Sequence, residues 1–220
     1  MAFPHFFDPL VFTAELLFTL IAVIFCFLIH FRTREIYELT KYEGIKYFRG
    51  AFFFFGLSYA LRFLFRIMLL SRIAFDFILP RELFAPLFIL PLGYFSTIGI
   101  FYLIFSSIWK KFSSRRLLIS GHAIAVLLSV ASFITRSNAI LLYFQSALLI
   151  LAVILSIIMH RKRKISEIRI LYFLVSVLWL INLWIIDRRR PLPLGMEIFF
   201  QVVSLAVFFT IYFKISKWVK

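Results

Sequence analysis

Residues 47–70 read YFRGAFFFFGLSYALRFLFRIMLL, and this stretch decides the fold. It is 24 residues of almost unbroken apolar sequence, long enough as a helix to cross a hydrocarbon core of about 30 Å. Yet beyond Arg49 in its first turn it carries two more arginines, Arg62 and Arg66, four residues apart and therefore on one helical face, with Ser58 and Tyr59 continuing that face. An apolar helix with charges on one stripe predicts a membrane span whose stripe faces other protein.

Outward from this stretch the same pattern recurs. Spans are predicted at 9–31, 47–70, 83–109, 117–134, 139–159, 168–186 and 194–218, which gives an all-α membrane protein, a single domain built as a seven-transmembrane-helix bundle. The third span is the longest and holds Pro86, Pro91, Gly93 and Gly99, so a tilt or kink is expected there. Arg136 and Asn138 divide the fourth span from the fifth, which makes the two an antiparallel hairpin. The longest connection, near 32–46, has room for a surface helix with Ile36, Tyr37 and Leu39 toward lipid.

Composition agrees. Of 220 residues, 63% are hydrophobic and 31 are Phe, whereas a soluble domain is about 45–50% apolar. A chain this small cannot bury so much apolar surface in an aqueous core. The first eight residues hold no Lys or Arg, so no cleavable signal peptide is expected, and the first span is read as permanent. Cys26 is the single cysteine and excludes an intramolecular disulfide.

The net charge of +15 is a statement about topology. One set of connections carries Arg32, Arg34, Lys41, Lys46 and Arg49, then Lys110, Lys111, Arg115 and Arg116, then Arg161, Lys162, Arg163, Lys164 and Arg169, and finally Lys214, Lys217 and Lys220. The opposite set carries Arg72, Arg81, Arg136 and the run Arg188, Arg189 and Arg190. Seventeen basic residues against six place the first set in the cytoplasm, with the N-terminus outside and the C-terminus inside a cell membrane. Basic residues placed this way call for no nucleic-acid partner. They suit anionic lipid headgroups at the cytoplasmic face, or a protein partner in the membrane or cytoplasm.

Polar residues inside the spans are the candidates for function, because they are costly in lipid and face the bundle interior. Arg62 and Arg66 come first. Glu15 lies about 9 Å from the outer end of the first span, between the depths of the two arginines. Thr19, Ala22 and Cys26 continue its face as a stripe packed against protein. At similar depth stand Glu197, Gln201 and Ser204 in the seventh span, Asn182 beside Trp179 in the sixth, Tyr143 and Gln145 in the fifth, and Tyr94 in the third; Asp187 marks the rim. The expected ligand site therefore comprises Arg62, Arg66, Glu15, Glu197, Gln201, Asn182, Tyr59 and Tyr94, an outward-facing cavity suited to a small polar or zwitterionic ligand. The plainer alternative is that Glu15 pairs with an arginine only to lower the cost of burial, fixing helix register and binding nothing.

His30, His122 and His160 lie toward the cytoplasmic end and do not converge as metal ligands, so no metal and no cofactor are expected. His122 shares a face with Ala125, Ser129 and Ser132, a small-residue stripe that reads as close helix packing. No acid–base or nucleophile constellation marks an enzyme. The middle of the seventh span, Ser204 and Leu205, lacks the lysine of retinal proteins, and Ser107, Ile108, Trp109 and Lys110 replace the acid–arginine pair of G-protein-coupled receptors. Size and topology resemble the seven-helix sensor modules that precede signalling domains in some microbial proteins, although the sequence ends at Lys220 without an output domain. That resemblance implies a membrane-embedded sensor or ligand-binding module signalling through a separate chain. A small secondary transporter or ion or proton channel is the second expectation, and a structural or assembly subunit, with Gly93 and Thr97 at a helix contact, is the third.

Overall fold

The computed structural model describes residues 9–75, 81–109, 115–135, 139–159, 166–186 and 194–217. These form helices throughout: α1 (Pro9–Thr40), α2 (Glu43–Phe75), α3 (Arg81–Ile108), α4 (Arg115–Ile134), α5 (Ala139–Met159), α6 (Ser166–Ile186) and α7 (Leu194–Lys217). Six of them are long and apolar enough among the described residues to cross a membrane, and α6 adds a shorter apolar stretch, Ile170–Leu183. The protein is thus an all-α, multi-pass type of membrane protein. The break at Arg136, Ser137 and Asn138, the rim residue Asp187 and the run Arg188–Arg190 lie outside the described residues.

The connection near 32–46 differs from expectation. No separate surface helix forms there. α1 continues for 32 residues, about 48 Å, well beyond a hydrocarbon core of about 30 Å. It stops where Lys41 adopts a left-handed backbone (φ 53°) and its N–H closes onto the Tyr37 carbonyl at 2.7 Å. α2 starts two residues later, so α1 and α2 form one long hairpin whose tip carries the pairs Arg32–Glu35, Arg34–Glu38 and Lys46–Glu43. Ile36 turns inward and is buried, while Leu39 is exposed. The helix is continuous because nothing in 32–40 breaks it: the segment has no Gly or Pro, and its charged pairs sit at the three- and four-residue spacing that supports a helix.

Neighbouring helices close into a ring in the order α1, α2, α3, α5, α6, α7 and back to α1, and α4 lies outside it against α3 and α5. α3 runs unbroken through Pro86 and Pro91. Its glycines set how closely neighbours approach. A Cβ at Gly93 would stand 2.9 Å from Ser129 Oγ and 3.0 Å from a Leu141 methyl, and one at Gly99 would stand 2.5 Å from the Phe55 ring. Gly121, Ala125, Ser129 and Ser132 make the buried face of α4, the small-residue stripe that lets it dock on α3. The Ser129 hydroxyl donates to the Leu90 carbonyl across that seam.

Aromatic side chains fill the ring. The Phe55 ring stacks on Trp179 with centroids 4.1 Å apart, and Tyr59 meets Trp179 edge-on at 5.7 Å and Phe208 at 5.9 Å. These contacts join α2 to α6 and α7 through the centre. Toward the hairpin tip, Phe48 packs on Tyr172 at 5.8 Å, Ser106 donates to the Gly44 carbonyl at 2.5 Å, and Tyr42 meets Trp109 at 4.8 Å.

Candidate functional site

The site is built on α2, which runs away from the hairpin tip. Ser58, Tyr59, Arg62 and Arg66 share one face, and the ring turns that face inward: Ser58 and Tyr59 are completely buried. The Arg62 guanidinium lies over the Tyr59 ring, 5.2 Å from its centroid, and 6.0 Å from that of Trp179. Cation–π contacts of this kind partly replace the water a guanidinium loses on burial. One turn further along α2, Arg66 lies 5.7 Å from the Phe12 ring centroid and forms an ion pair with Glu15 of α1. The Glu15 and Arg66 side chains are each less than a fifth exposed. Below Glu15, Thr19 bonds back to the Glu15 carbonyl at 2.9 Å, and Ala22 and Cys26 are fully buried, so the α1 stripe packs on protein as its spacing predicts.

α6 contributes Trp179 and, one turn on, Asn182, both 1% exposed. Asn182 Nδ2 donates to its own helix, to the Leu178 carbonyl at 2.7 Å, which leaves its Oδ1 pointing into the interior. α7 contributes Gln201 and Ser204, also buried, with Glu197 half-buried in its first turn. Among the described residues, Ser58 Oγ, Tyr59 OH, Arg62 Nε, Trp179 Nε1, Asn182 Oδ1, Gln201 Nε2 and Ser204 Oγ are buried without a hydrogen-bond partner. A buried polar atom left unpaired costs about 1–3 kcal/mol. Here several such atoms lie on three helices of the ring, without a partner among the described residues.

Not every predicted member lies there. Tyr94 faces α4, where its hydroxyl and His122 Nδ1 are 2.8 Å apart, with the Tyr102 and Phe54 rings around the imidazole. Gln145 is buried but already engaged: its Nε2 donates to Ser96 Oγ at 2.8 Å and to Thr97 Oγ1 at 2.9 Å on α3. Tyr143 is 72% exposed and points away from the bundle. Arg62, Tyr59, Asn182 and Gln201 remain as the interior set, and Glu15 and Arg66 close over it as a pair. On sequence alone, Trp179 stands only as a neighbour of Asn182. Its place three residues before a buried amide is the one available sign that its indole also faces inward.

No protein-family profile matches the chain, and no solved structure matches it. The chain is 31% identical over 213 residues to an uncharacterized protein of the archaeon Archaeoglobus fulgidus, covering 93% of this chain and 92% of that one. With likeness running nearly end to end in both, the chain and this archaeal protein belong to one family.

Proposed function

We propose that the protein is a membrane-embedded sensor or binding module for a small polar ligand held in the bundle interior beside Arg62. One observation carries this reading: buried polar atoms of α2, α6 and α7 are unpartnered among the described residues, and two of the side chains that bear them, Tyr59 and Trp179, lie against the Arg62 guanidinium. In lipid, polar groups are satisfied within the protein, because no water is at hand to do it. A bundle shaped only to stand would fill these positions with Leu and Ile.

The reading includes seven crossings, with the start of α1 outside and the hairpin tip in the cytoplasm, on the strength of the Lys and Arg asymmetry. The basic cytoplasmic end then meets anionic headgroups or an acidic partner chain, which carries the signal onward. The transporter reading needs a polar route from Arg62 to the hairpin end. That path is filled by the buried rings of Phe52 and Phe55 and by the Phe48–Tyr172 contact, which favours binding over passage.

The test is a thermal-unfolding screen of detergent-purified protein against amino acids, organic acids and phosphorylated metabolites, run on wild type and on Arg62→Gln. At least one compound should raise the wild-type midpoint and leave the variant unmoved. If nothing shifts the wild type while Arg62→Gln unfolds far earlier, the arginine only holds helices together and the binding reading falls.

A further inference from the structure

The tip of the α1–α2 hairpin carries more positive charge than it pairs. Its three carboxylates are all engaged, Glu35 with Arg32, Glu38 with Arg34 and Glu43 with Lys46. Lys41 and Arg49 are left without a carboxylate bonded to them among the described residues. Glu38 lies within electrostatic reach of both, but its bond is to Arg34. Five basic side chains against three acidic ones give residues 32–49 a net charge of +2, and in the other charged stretches at this end of the bundle Glu167 is the one acid. The two unpaired cations meet at one side chain. The Arg49 guanidinium and Lys41 Nζ lie 5.8 and 5.9 Å from the centroid of the Tyr37 ring. An aromatic face at an exposed site contributes only about 0.5–1 kcal/mol and brings no negative charge.

Depth places this cluster at the edge of the hydrocarbon. From Pro9 to His30, α1 rises about 32 Å, and from Arg49 to Ser71, α2 rises about 33 Å, each close to a bilayer core of about 30 Å. The two inner positions are level, because His30 Nδ1 donates to the Arg49 carbonyl at 3.1 Å. Side chains lean toward the N-terminus of their own helix. Arg49 therefore leans toward the tip and reaches Tyr37, whereas Phe31 on α1 leans back toward the core. There the His30 ring meets Phe31 and Phe53, both at 5.4 Å, and these two are 58% and 37% exposed. Unpaired cations thus stand on one side of the His30 level and lipid-facing aromatics on the other.

Resting on the reading above that the basic end meets anionic headgroups, we propose that the lipid-exposed face of the α1–α2 hairpin holds one anionic phospholipid, its phosphate on Arg49 and Lys41 and its acyl chains along Phe31 and Phe53. A phosphodiester accepts parallel hydrogen bonds from the guanidinium fork, and the flexible lysine adds a second positive charge. A lipid fits this place better than an acidic protein segment does, because the cations adjoin exposed rings at the depth where acyl chains begin. The interior around Arg62 takes no part in the site.

The experiment is native mass spectrometry of the full-length protein in detergent, titrated with phosphatidylglycerol or phosphatidylcholine. It compares wild type with Arg49→Gln, Arg49→Lys, Lys41→Gln and Arg115→Gln. Arg115 is an exposed base at the same end and reports diffuse attraction. One phosphatidylglycerol is expected to bind ahead of all further lipid, with phosphatidylcholine weaker and excess glycerol phosphate unable to displace it. Binding should weaken about tenfold in Arg49→Gln, through lost hydrogen bonds to a charged group, and about fivefold in Lys41→Gln. Arg49→Lys should fall between wild type and Arg49→Gln, and Arg115→Gln should change little. Equal weakening in Arg115→Gln, or unchanged binding in both Arg49→Gln and Lys41→Gln, overturns the site and leaves only diffuse attraction of headgroups. Displacement by glycerol phosphate overturns the lipid in favour of a free phosphate ligand. If Arg49→Gln loses its helical circular dichroism or size-exclusion profile, Arg49→Lys and Lys41→Gln decide. If phosphatidylglycerol binds no better than phosphatidylcholine, the site and the headgroup reading fall together, while the reading of the Arg62 interior stands or falls on its own thermal screen.

Discussion

Glu15 pairs with Arg66 and not with Arg62, although the two arginines are a single turn apart on the same face of α2. The carboxylate therefore balances one guanidinium directly, and the other is left to the faces of Tyr59 and Trp179. The two arginines consequently have different work, and substitutions should separate them.

Removing one partner of the pair takes this counter-charge away from a side chain that is largely buried. Glu15→Gln and Arg66→Gln should each lower stability by about 2–4 kcal/mol, somewhat below the full cost for a deeply buried pair because some exposure remains. The double variant should be less destabilised than the two single effects added together. Thermal unfolding of the four proteins in one detergent measures the coupling, and additive losses would mean that the pair contributes nothing as a pair.

Gly99 supports the site from behind. Its missing side chain is what admits the Phe55 ring, which stacks on Trp179. Gly99→Ala should push Phe55 toward Trp179, cost about 1–3 kcal/mol, and alter the near-ultraviolet circular dichroism of the tryptophans. An unchanged aromatic spectrum would show that the ring has somewhere else to go.

The hairpin extension offers a paired control. Ile36 is buried in the core cluster and Leu39, three residues on, is 77% exposed. Ile36→Ala should cost about 2–4 kcal/mol, whereas Leu39→Ala should stay within about 0.5 kcal/mol. Equal effects would mean that this segment does not pack as one continuous helix against α2.

Gln145 ties α5 to α3 by two donated hydrogen bonds. Interhelical hydrogen bonds in membrane proteins average about 0.6 kcal/mol each, so Gln145→Leu should cost only about 1 kcal/mol. The Ser96 and Thr97 hydroxyls keep their bonds to the Gly93 carbonyl, which limits the damage. A loss much larger than this would assign Gln145 more than a seam between helices.

Much of this protein is determined by its sequence alone. Run length and composition fix that the chain is helical and membrane-type, because no other solvent accepts so many Phe and Ile. A period of 3.6 fixes which residues share a face, and so Ser58, Tyr59, Arg62 and Arg66, or Thr19, Ala22 and Cys26, are legible as stripes from their spacing. Periodicity does not say what a stripe faces. Helices apolar on every side carry little to fix their rotation in the bundle, so partner choice waits on how seven of them pack. Only the tertiary structure sends Tyr94 to His122, Gln145 to α3 and Tyr143 outward, gives Glu15 to Arg66, and sets Trp179 beside Arg62. The reason lies in small residues such as Gly93, Gly99 and Gly121, whose close approaches set the spacing and rotation of helices that hydrophobicity alone leaves undetermined.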